Sequence, residues 1–306
     1  ASTPTMLSWT LAGLFLTGLI IYAGVEKGIE KAVIFLMPAL FGLLVVLVLY
    51  NAFAGGFAQA LSWLFTPDFS KLDGGVCLAA LGQVFFSIGV AMAAMMTYGA
   101  YLPERISIGQ SVVMIVTADT LVALLAGMVV FPAVFAMGLE PTEGPSLVFS
   151  VLPTVFVGMP FGNLVSIIFF TLLAIAAITS GISLLEVVVA YFIDQRKWGR
   201  KKAVLITSVT IFAFGVPSGL SFGVLSETKL FDMTFFDHID NIASNYLLPL
   251  GGMLTAIFVG WVWGTKSAEE EIEKHETKFY WGPIWGFLIR YISPVAVFLV
   301  FCAKFF

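Results

Sequence analysis

Asp119 is a carboxylate deep inside one of the long apolar segments of this chain. It follows the start of an apolar run at residue 108 by about eleven residues, which is near the membrane midplane at about 1.5 Å per helical residue. A charge at that depth costs at least about 2.5–3.5 kcal/mol on insertion scales. Asp119 must therefore face a cavity, a counter-ion or a proton, and it is a candidate cation ligand or proton carrier.

A second polar group lies in the apolar run that continues to residue 192. Thr179 and Ser180 place two hydroxyls beside backbone carbonyls, and oxygen ligands of this kind suit a hard cation such as sodium. The same hydroxyls could instead bond back to the carbonyl four residues earlier, so both interpretations stay open here. Glu186 follows nearer the end of the run, where we expect a structural hydrogen bond.

Two further places combine apolar sequence with a weakened backbone. Gly89 follows Ser87 in the middle of an apolar run, which predicts either an interrupted helix that exposes carbonyls and amides or close helix packing through small residues. Gly28 and Pro38 bracket the start of another run, with nine residues between them. Proline frees a carbonyl one turn earlier, so this spacing fits a segment that unwinds or a static kink.

The composition shows which elements position these groups. Hydrophobic residues make up 59% of the chain and charged residues only 11%, with a mean hydropathy of +1.01, whereas a soluble domain carries about 25% charged residues. The net charge of −4 gives no basic surface for nucleic acid. The cysteines and histidines show no metal-ligand spacing. The pattern predicts an all-α membrane protein.

Apolar runs between polar breaks predict eight spans, each needing about 20 residues. They are 6–24, 31–50, 76–101, 108–137, 161–192, 203–224, 241–264 and 281–304. Segment 51–75 is predicted to be a polar loop with turns. Segment 138–162 is predicted to be a long functional loop, re-entrant or lid-like in form.

Basic residues predict the orientation, because they concentrate in cytoplasmic loops. One set of loops holds most of them: Lys27, Lys31, Arg105, Arg196, Lys197, Arg200, Lys201, Lys202, Lys266, Lys274 and Lys278. The opposite set holds only Lys71, Lys229 and Lys304. The first span is therefore predicted to start outside, the C-terminus to be extracytoplasmic, and an odd number of spans to precede residue 1.

Five segments occur in a fixed order along the chain. They are Gly24–Lys31 with Met37-Pro38, Thr66–Phe69, Gly82–Ser87, Thr97–Tyr101 and Ala176–Ser180. In that order they resemble the start of the fifth helix, the third outer loop, the two halves of the broken sixth helix and the eighth helix of the neurotransmitter:sodium symporter family. The likeness is greatest to its bacterial amino-acid transporters. The resemblance implies that residues 1–306 form one partial LeuT-like inverted-repeat domain, containing helices four to eleven and lacking the first three.

The resemblance also implies individual roles. The substrate pocket would be lined by Phe86, Ser87, Gly89, Met92, Ser180 and Leu184, with Phe86 as an aromatic lid. One sodium would be ligated by Ser87 and Asp119, and a second by the Ala176 carbonyl, Thr179 and Ser180. Gating would involve Asp240 outside, Asp194 with Tyr101 near it inside, and unwinding between Gly28 and Pro38.

Two departures from the family pattern refine this expectation. Many relatives have Asn at the position of Asp119, and eukaryotic members add chloride. A fixed negative charge beside sodium would supply electrostatically what chloride supplies, which predicts chloride-independent transport. Relatives usually have Gly at one or both of the positions of Ala91 and Ala93. The added methyl groups narrow the pocket, which favours small or medium apolar amino acids over aromatic ones.

The expected activity is therefore sodium-coupled symport of an amino acid by alternating access, in the cytoplasmic membrane and not as an enzyme. The expected partners are the amino acid, two sodium ions, the lipid bilayer and the absent N-terminal helices. The alternatives are a cation channel that uses Asp119 for selectivity and a membrane-embedded enzyme with Asp119 and Glu186 as acid and base.

Overall fold

The structure, a computed structural model, describes residues 3–103, 105–136, 138, 147–231, 233–274 and 279–302. Within these residues the regular elements are helices, and the only extended pairing is an isolated bridge between Leu230 and Met233. The all-α prediction is therefore confirmed for the described part of the chain. Residues 139–146 of the predicted long loop, together with Lys278 and Lys304 of the orientation argument, lie outside it.

The described α-helices number fourteen, and π-helical or 3-10 turns join several of them into longer rods. They are α1 Thr3–Tyr22, α2 Lys31–Ala54, α3 Phe57–Phe65, α4 Gly74–Ile88, α5 Ala94–Ala100, α6 Ile108–Ala136, α7 Leu152–Val157, α8 Gly162–Arg196, α9 Arg200–Leu220, α10 Phe235–Asn241, α11 Leu248–Ile257, α12 Thr265–Glu273, α13 Gly282–Phe287 and α14 Ser293–Cys302.

Seven helical rods in the described ranges are long and apolar enough to cross a membrane. They are Thr3–Tyr22, Val25–Phe53, Ile108–Ala136, Gly162–Arg196, Arg200–Leu220, Phe235–Glu273 and Gly282–Leu299. The chain is a multi-pass membrane protein. The predicted span 76–101 differs from the others because it is divided into α4 and α5, of 15 and 7 residues.

Two other predictions from the sequence are corrected. The predicted loop 51–75 contains the end of α2 and the nine-residue helix α3, since Phe57–Phe65 has apolar residues at helical spacing that a search for turns overlooks. The rod that begins at Phe235 continues to Glu273, well past the predicted end at 264. Its last two turns are polar, and a hydrophobicity window stops where the apolar residues stop.

The helices form two compact units, and the second contains residues 23–69 and 117–182. Its core packs one face of α2, with Leu40, Leu44 and Leu47 at helical spacing, against α6, α7 and the first half of α8. Leu152 of α7 is fully buried there. Residues 147–157 of the predicted long loop are therefore helical, and they are part of this core.

A proline kink in α6 is stabilised from α2 within the same unit. Pro132 has no N–H to donate to the carbonyl of Met128. The buried Asn51 donates its Nδ2 to that carbonyl at 3.2 Å and to the Val129 carbonyl at 2.6 Å. Gly56 follows with φ of +70°, and a Cβ there would lie 2.4 Å from the Pro132 oxygen. Only glycine fits this turn.

The first unit contains residues 1–22, 70–116 and 183–306. In it, the C-terminal end of α1 lies beside the N-terminal end of α9, where the Nε of Arg200 donates to the Ile21 carbonyl at 2.8 Å. The two helices therefore run antiparallel. In the same unit α11 packs against α14 and α4.

Candidate functional site

The break between α4 and α5 is the feature that places polar backbone groups in an apolar span. Gly89 ends α4 with φ of 72°, a 3-10 turn covers Val90–Met92, and Ala93 starts α5 with φ of 59°. Glycine adopts this left-handed conformation easily, whereas alanine pays roughly 1–2 kcal/mol for it. The interrupted helix expected at Gly89 is therefore observed, and a strained residue closes it.

The start of α5 is held by local hydrogen bonds. The backbone N–H of Thr97 donates to the Ala93 carbonyl at 3.0 Å, and the Thr97 hydroxyl donates to the same oxygen at 3.0 Å. Two donors on one carbonyl fix the first turn of the helix. They compensate part of the strain at Ala93.

Helix α11 holds the break from the side, which the sequence did not indicate. A Cβ on Gly251 would lie 2.6 Å from the Ala91 carbonyl oxygen, and a Cβ on Gly252 would lie 3.1 Å from the Phe85 ring. The backbone of α11 can approach the turn this closely only because both residues lack side chains. Gly251 is thus a positioning residue. In the sequence, Gly251 and Gly252 form a glycine pair inside a predicted span. Such a pair can also indicate general close packing of helices, so it does not identify this contact.

The residues predicted to line a substrate pocket occupy the break and one face of α8. Phe86 and Ser87 are exposed at the end of α4, with Phe86 at 51%. Met92 curls back so that its Cε lies 3.8 Å from where a Cβ on the buried Gly89 would be. On α8, Ser180 and Leu184 are one turn apart and exposed, Leu184 at 48%.

The second half-helix of the broken span, α5, is bonded to α8 at two levels. The Tyr98 hydroxyl donates to Ser183 Oγ at 2.9 Å, and the Tyr101 hydroxyl donates to Glu186 Oε1 at 2.8 Å. Because both helices advance by three residues between the two bonds, α5 and α8 are joined along a full turn. The break therefore ends in a half-helix with a fixed position against α8.

Glu186 is fully buried and is paired with Arg200. The guanidinium Nη2 of Arg200 lies 2.5 Å from Glu186 Oε2. The structural hydrogen bond expected for Glu186 is confirmed. The sequence predicts Arg200 to be a loop residue, but it is the first residue of α9, and its side chain donates to Glu186 and to the Ile21 carbonyl. Tyr101 bonds to Glu186, and Asp194 is exposed in the last turn of α8, so the proximity expected for Tyr101 and Asp194 stays a prediction.

The predicted sodium ligands lie on regular helices. Asp119 is half-buried near the middle of α6, and Ala176, Thr179 and Ser180 follow one another on α8. The Thr179 hydroxyl donates to the Ile175 carbonyl at 3.1 Å and to the Ala176 carbonyl at 3.0 Å. This is the back-bonding that the sequence left open. It uses the proton of the hydroxyl, whereas a cation would be held by the oxygen lone pairs.

The predicted gating residues lie at helix ends and turns. Asp240 is exposed in α10 and accepts from the Ser244 hydroxyl at 3.3 Å. Gly28 lies in a π-helical turn over Val25–Glu30, in which the N–H of Ile29 reaches the Gly24 carbonyl at 3.1 Å. Pro38 follows inside α2. The helix is thus irregular over Val25–Glu30, whereas the segment from Lys31 to Pro38 is α-helical.

Long apolar helices, together with one span that is broken at its centre, define the class. This is a polytopic membrane protein of the transporter type, in which broken helices provide backbone groups for ions and substrates. The chain belongs to the sodium:neurotransmitter symporter family, which it matches over residues 2–306. The resemblance drawn from the sequence is confirmed, and this is a family of transporters rather than of enzymes.

Individual relatives agree with this assignment. The chain is 39% identical over 295 residues to the uncharacterized sodium-dependent transporter YhdH of Bacillus subtilis, covering 95% of this chain and 65% of that protein. An uncharacterized sodium-dependent transporter of Haemophilus influenzae is 32% identical, with 97% and 65% covered. The crystal structure of MhsT in complex with L-phenylalanine has 44% identity and a TM-score of 0.86, covering 97% of this chain and 67% of that chain. The chain thus spans about 65% of the length of the Bacillus and Haemophilus transporters.

Proposed function

We propose that this chain forms the greater part of a sodium-coupled amino-acid symporter that works by alternating access. The break at Gly89–Ala93 is the main support for this proposal. At the break, backbone amides and carbonyls within a span leave the regular α-helical hydrogen-bond pattern. Membership of the sodium:neurotransmitter symporter family supports the same conclusion.

The test is transport by the intact protein in proteoliposomes. An inward sodium gradient should drive saturable uptake of a radiolabelled amino acid, and potassium in place of sodium should abolish it. Radiolabelled sodium should enter only when the amino acid is present. Unitary currents without substrate would instead show a channel, and chemical conversion of the amino acid would show an enzyme.

For the substrate, we propose a small or medium apolar amino acid. Ala91 and Ala93 place methyl groups at the break, where relatives usually have glycine at one or both positions, and in this proposal the methyl groups narrow the substrate pocket. MhsT was crystallised with L-phenylalanine, so aromatic competitors provide the sharpest comparison. Alanine, valine and leucine should inhibit uptake more strongly than phenylalanine or tryptophan. The reverse order would contradict the narrowed pocket.

For the ions, we propose two sodium sites to which this chain contributes only some ligands. The family resemblance assigns Ser87 and Asp119 to one site and the Ala176 carbonyl, Thr179 and Ser180 to the other. Because Asp119 carries its own negative charge, transport should not need chloride. Uptake should be unchanged when gluconate replaces chloride. A clear chloride requirement would overturn this part of the proposal.

For the arrangement, we propose that the spans correspond to helices four to eleven of the family, with the break as the sixth helix. The first three helices would provide the remaining ligands and would cover Phe86 and Leu184, which are exposed here. The C-terminus would face outside. Alkaline phosphatase fused after residue 306 should then be active in bacterial cells, and an inactive fusion would reverse the orientation.

For ion release, we propose that the helix between Gly28 and Pro38 unwinds and admits water from the cytoplasm. The π-helical turn at Val25–Glu30 supports this, since π-helical turns are rare departures from the α-helix that occur frequently at functional sites. Pro38→Ala should leave sodium-dependent binding nearly intact and should slow turnover. Unchanged turnover would contradict the idea.

A further inference from the structure

A groove between α1 and α9 has no role in the proposed transport cycle. It has a volume of about 600 Å³ and is lined from Leu11 to Tyr22 on α1 and from Lys201 to Phe212 on α9. Gly18 is buried in this stretch, and a Cβ there would meet Ser208 Oγ at 3.2 Å. The missing side chain keeps the groove deep where the helices come closest.

The groove has the dimensions of one lipid chain. Residues 11 to 22 of α1 cover about 16 Å at 1.5 Å per residue, and one leaflet of the hydrocarbon core is about 15 Å deep, half of about 30 Å. The lining is almost entirely apolar side chains, and several are widely exposed, Phe15 at 69% and Val209 at 60%. Such a groove suits a flexible acyl chain.

The two ends of the groove differ in charge. Lys201 lies at the end where α9 begins, with its ammonium 5.4 Å from the centre of the Tyr22 ring. The opposite end, near Leu11 and Phe212, has no charged lining residue. An apolar channel one leaflet long with a cation at its mouth matches a phospholipid, whose chains are apolar and whose phosphate is negative. Anionic lipids add a second attraction at a cytoplasmic surface.

We infer that the α1–α9 groove binds an anionic phospholipid, with one acyl chain in the groove and the headgroup phosphate at Lys201. A second copy of the chain fits less well. Helices that dimerise in membranes present small residues to each other, whereas the rim here includes Phe15, Leu19 and Leu205. A two-fold axis along the membrane normal would also bring the two Lys201 side chains to the same level, where they repel.

The test is lipid binding by the purified protein, measured by native mass spectrometry in detergent. Phosphatidylglycerol and phosphatidylcholine with identical acyl chains are titrated separately. Phosphatidylglycerol should bind more tightly to the wild type. Lys201→Ala should weaken it about fivefold, the factor that one lysine beside an anionic surface contributes, and should leave phosphatidylcholine binding unchanged.

Matched variants separate the groove from general effects. Lys202 is the next residue, and its ammonium lies over Trp198 at 4.8 Å instead of lining the groove, so Lys202→Ala should change the affinity less than twofold. Val209→Trp should fill the groove and weaken both lipids. Ile206→Trp lies outside the lining and should weaken neither. Glycerol 3-phosphate, a headgroup without chains, should not compete.

Several results would overturn the inference. Equal affinity for the two lipids, equal losses in the two lysine variants, or unchanged binding in Val209→Trp would each do so. A dimer that disappears in Val209→Trp while no lipid is bound would assign the groove to a second copy. Lys201→Ala alters only an exposed side chain, so the test survives if the tryptophan variant fails to fold. Sodium-dependent uptake is measured separately, which distinguishes failure of this site from failure of the proposed transport.

Discussion

The guanidinium of Arg200 lies 2.5 Å from the carboxylate of Glu186, a side chain with no exposed surface. The other carboxylate oxygen accepts from the Tyr101 hydroxyl, and the Arg200 Nε donates to the Ile21 carbonyl. One buried charge thus connects four helices of the first unit: α5, α8, α9 and α1. Removing this charge should therefore affect α5, the second half of the broken span, as well as the packing of α1, α8 and α9.

Glu186→Gln should lower the free energy of unfolding by about 3 kcal/mol. Breaking one partner of a buried ion pair costs roughly 3–5 kcal/mol because the other charge stays desolvated, and the lower end applies since Arg200 is 24% exposed. Denaturation in detergent micelles measures it. Replacing both partners, with Arg200→Gln added, should recover part of the loss, because no unpaired charge then remains.

Glu271→Gln is the matched control for this prediction. Glu271 pairs with Lys274 on the surface, where the two side chains are 42% and 58% exposed. Exposed pairs contribute roughly 0–1 kcal/mol, so this variant should change stability little. Equal losses in the Glu186 and Glu271 variants would show that burial of the pair does not matter.

The bond between Tyr98 and Ser183 can be isolated by a double-mutant cycle. Tyr98→Phe and Ser183→Ala each remove one hydroxyl, and the pair should show a coupling free energy of about 0.5–1.5 kcal/mol, the usual net value of a neutral hydrogen bond. The free energy of unfolding of the four proteins gives the coupling. Tyr98→Phe combined with Ser208→Ala should be additive, since no bond joins those two residues. Additivity in both pairs would mean that the Tyr98 bond contributes nothing.

Much of this architecture could be predicted from the sequence, because membrane insertion acts on local composition. Seven of the eight predicted spans correspond to long apolar helices, and the eighth contains the break that Gly89 suggested. The short helix α3 and the polar end of the rod at Glu273 were missed. Helix α3 packs against α2, and the polar end continues a helix that is already formed. A hydrophobicity pattern reports neither effect.

The contacts around the break were harder to predict, because they depend on pairs of distant residues. Glu186 could be expected to need a partner, since a buried carboxylate is costly. That the partner is Arg200, fourteen residues later and across a tight turn, depends on how α9 packs back on α8. Gly251 is a similar case, since its importance comes from the approach of the Ala91 carbonyl.

Gly251→Ala should disturb the broken span without changing any polar group. Its Cβ would lie 2.6 Å from the Ala91 oxygen, so either the turn or α11 must move. The carbonyls and amides of the break would then be misplaced relative to the proposed ion and substrate sites. Sodium-dependent binding of the amino acid, measured by scintillation proximity in detergent, should weaken at least about tenfold, or about 1.4 kcal/mol.

Gly215→Ala provides the control, since it makes the same substitution inside α9 with no heavy atom within 4 Å of the new Cβ. Its helix should gain slightly in intrinsic stability, and binding should remain within twofold of the wild type. If Gly251→Ala also binds normally, the close approach of α11 has no part in shaping the site.

The last prediction concerns the kink at Pro132 in the second unit. Asn51 donates to the Met128 carbonyl, which Pro132 cannot bond, and also to the Val129 carbonyl. Asn51→Leu keeps the size of the side chain and leaves a buried carbonyl without its donor, which costs about 1–3 kcal/mol. The free energy of unfolding should fall by that amount.

Restoring the backbone donor should rescue the same defect. Pro132→Ala returns an N–H four residues after Met128, so the double variant Asn51→Leu/Pro132→Ala should be about 1 kcal/mol more stable than Asn51→Leu alone. Pro217→Ala also removes a proline from a helix interior, but it lies in the first unit and has no bond to Asn51. It should therefore give no rescue. If both prolines rescue equally, the gain comes from general helix straightening, and the Asn51 bond to the freed carbonyl is not what stabilises the kink.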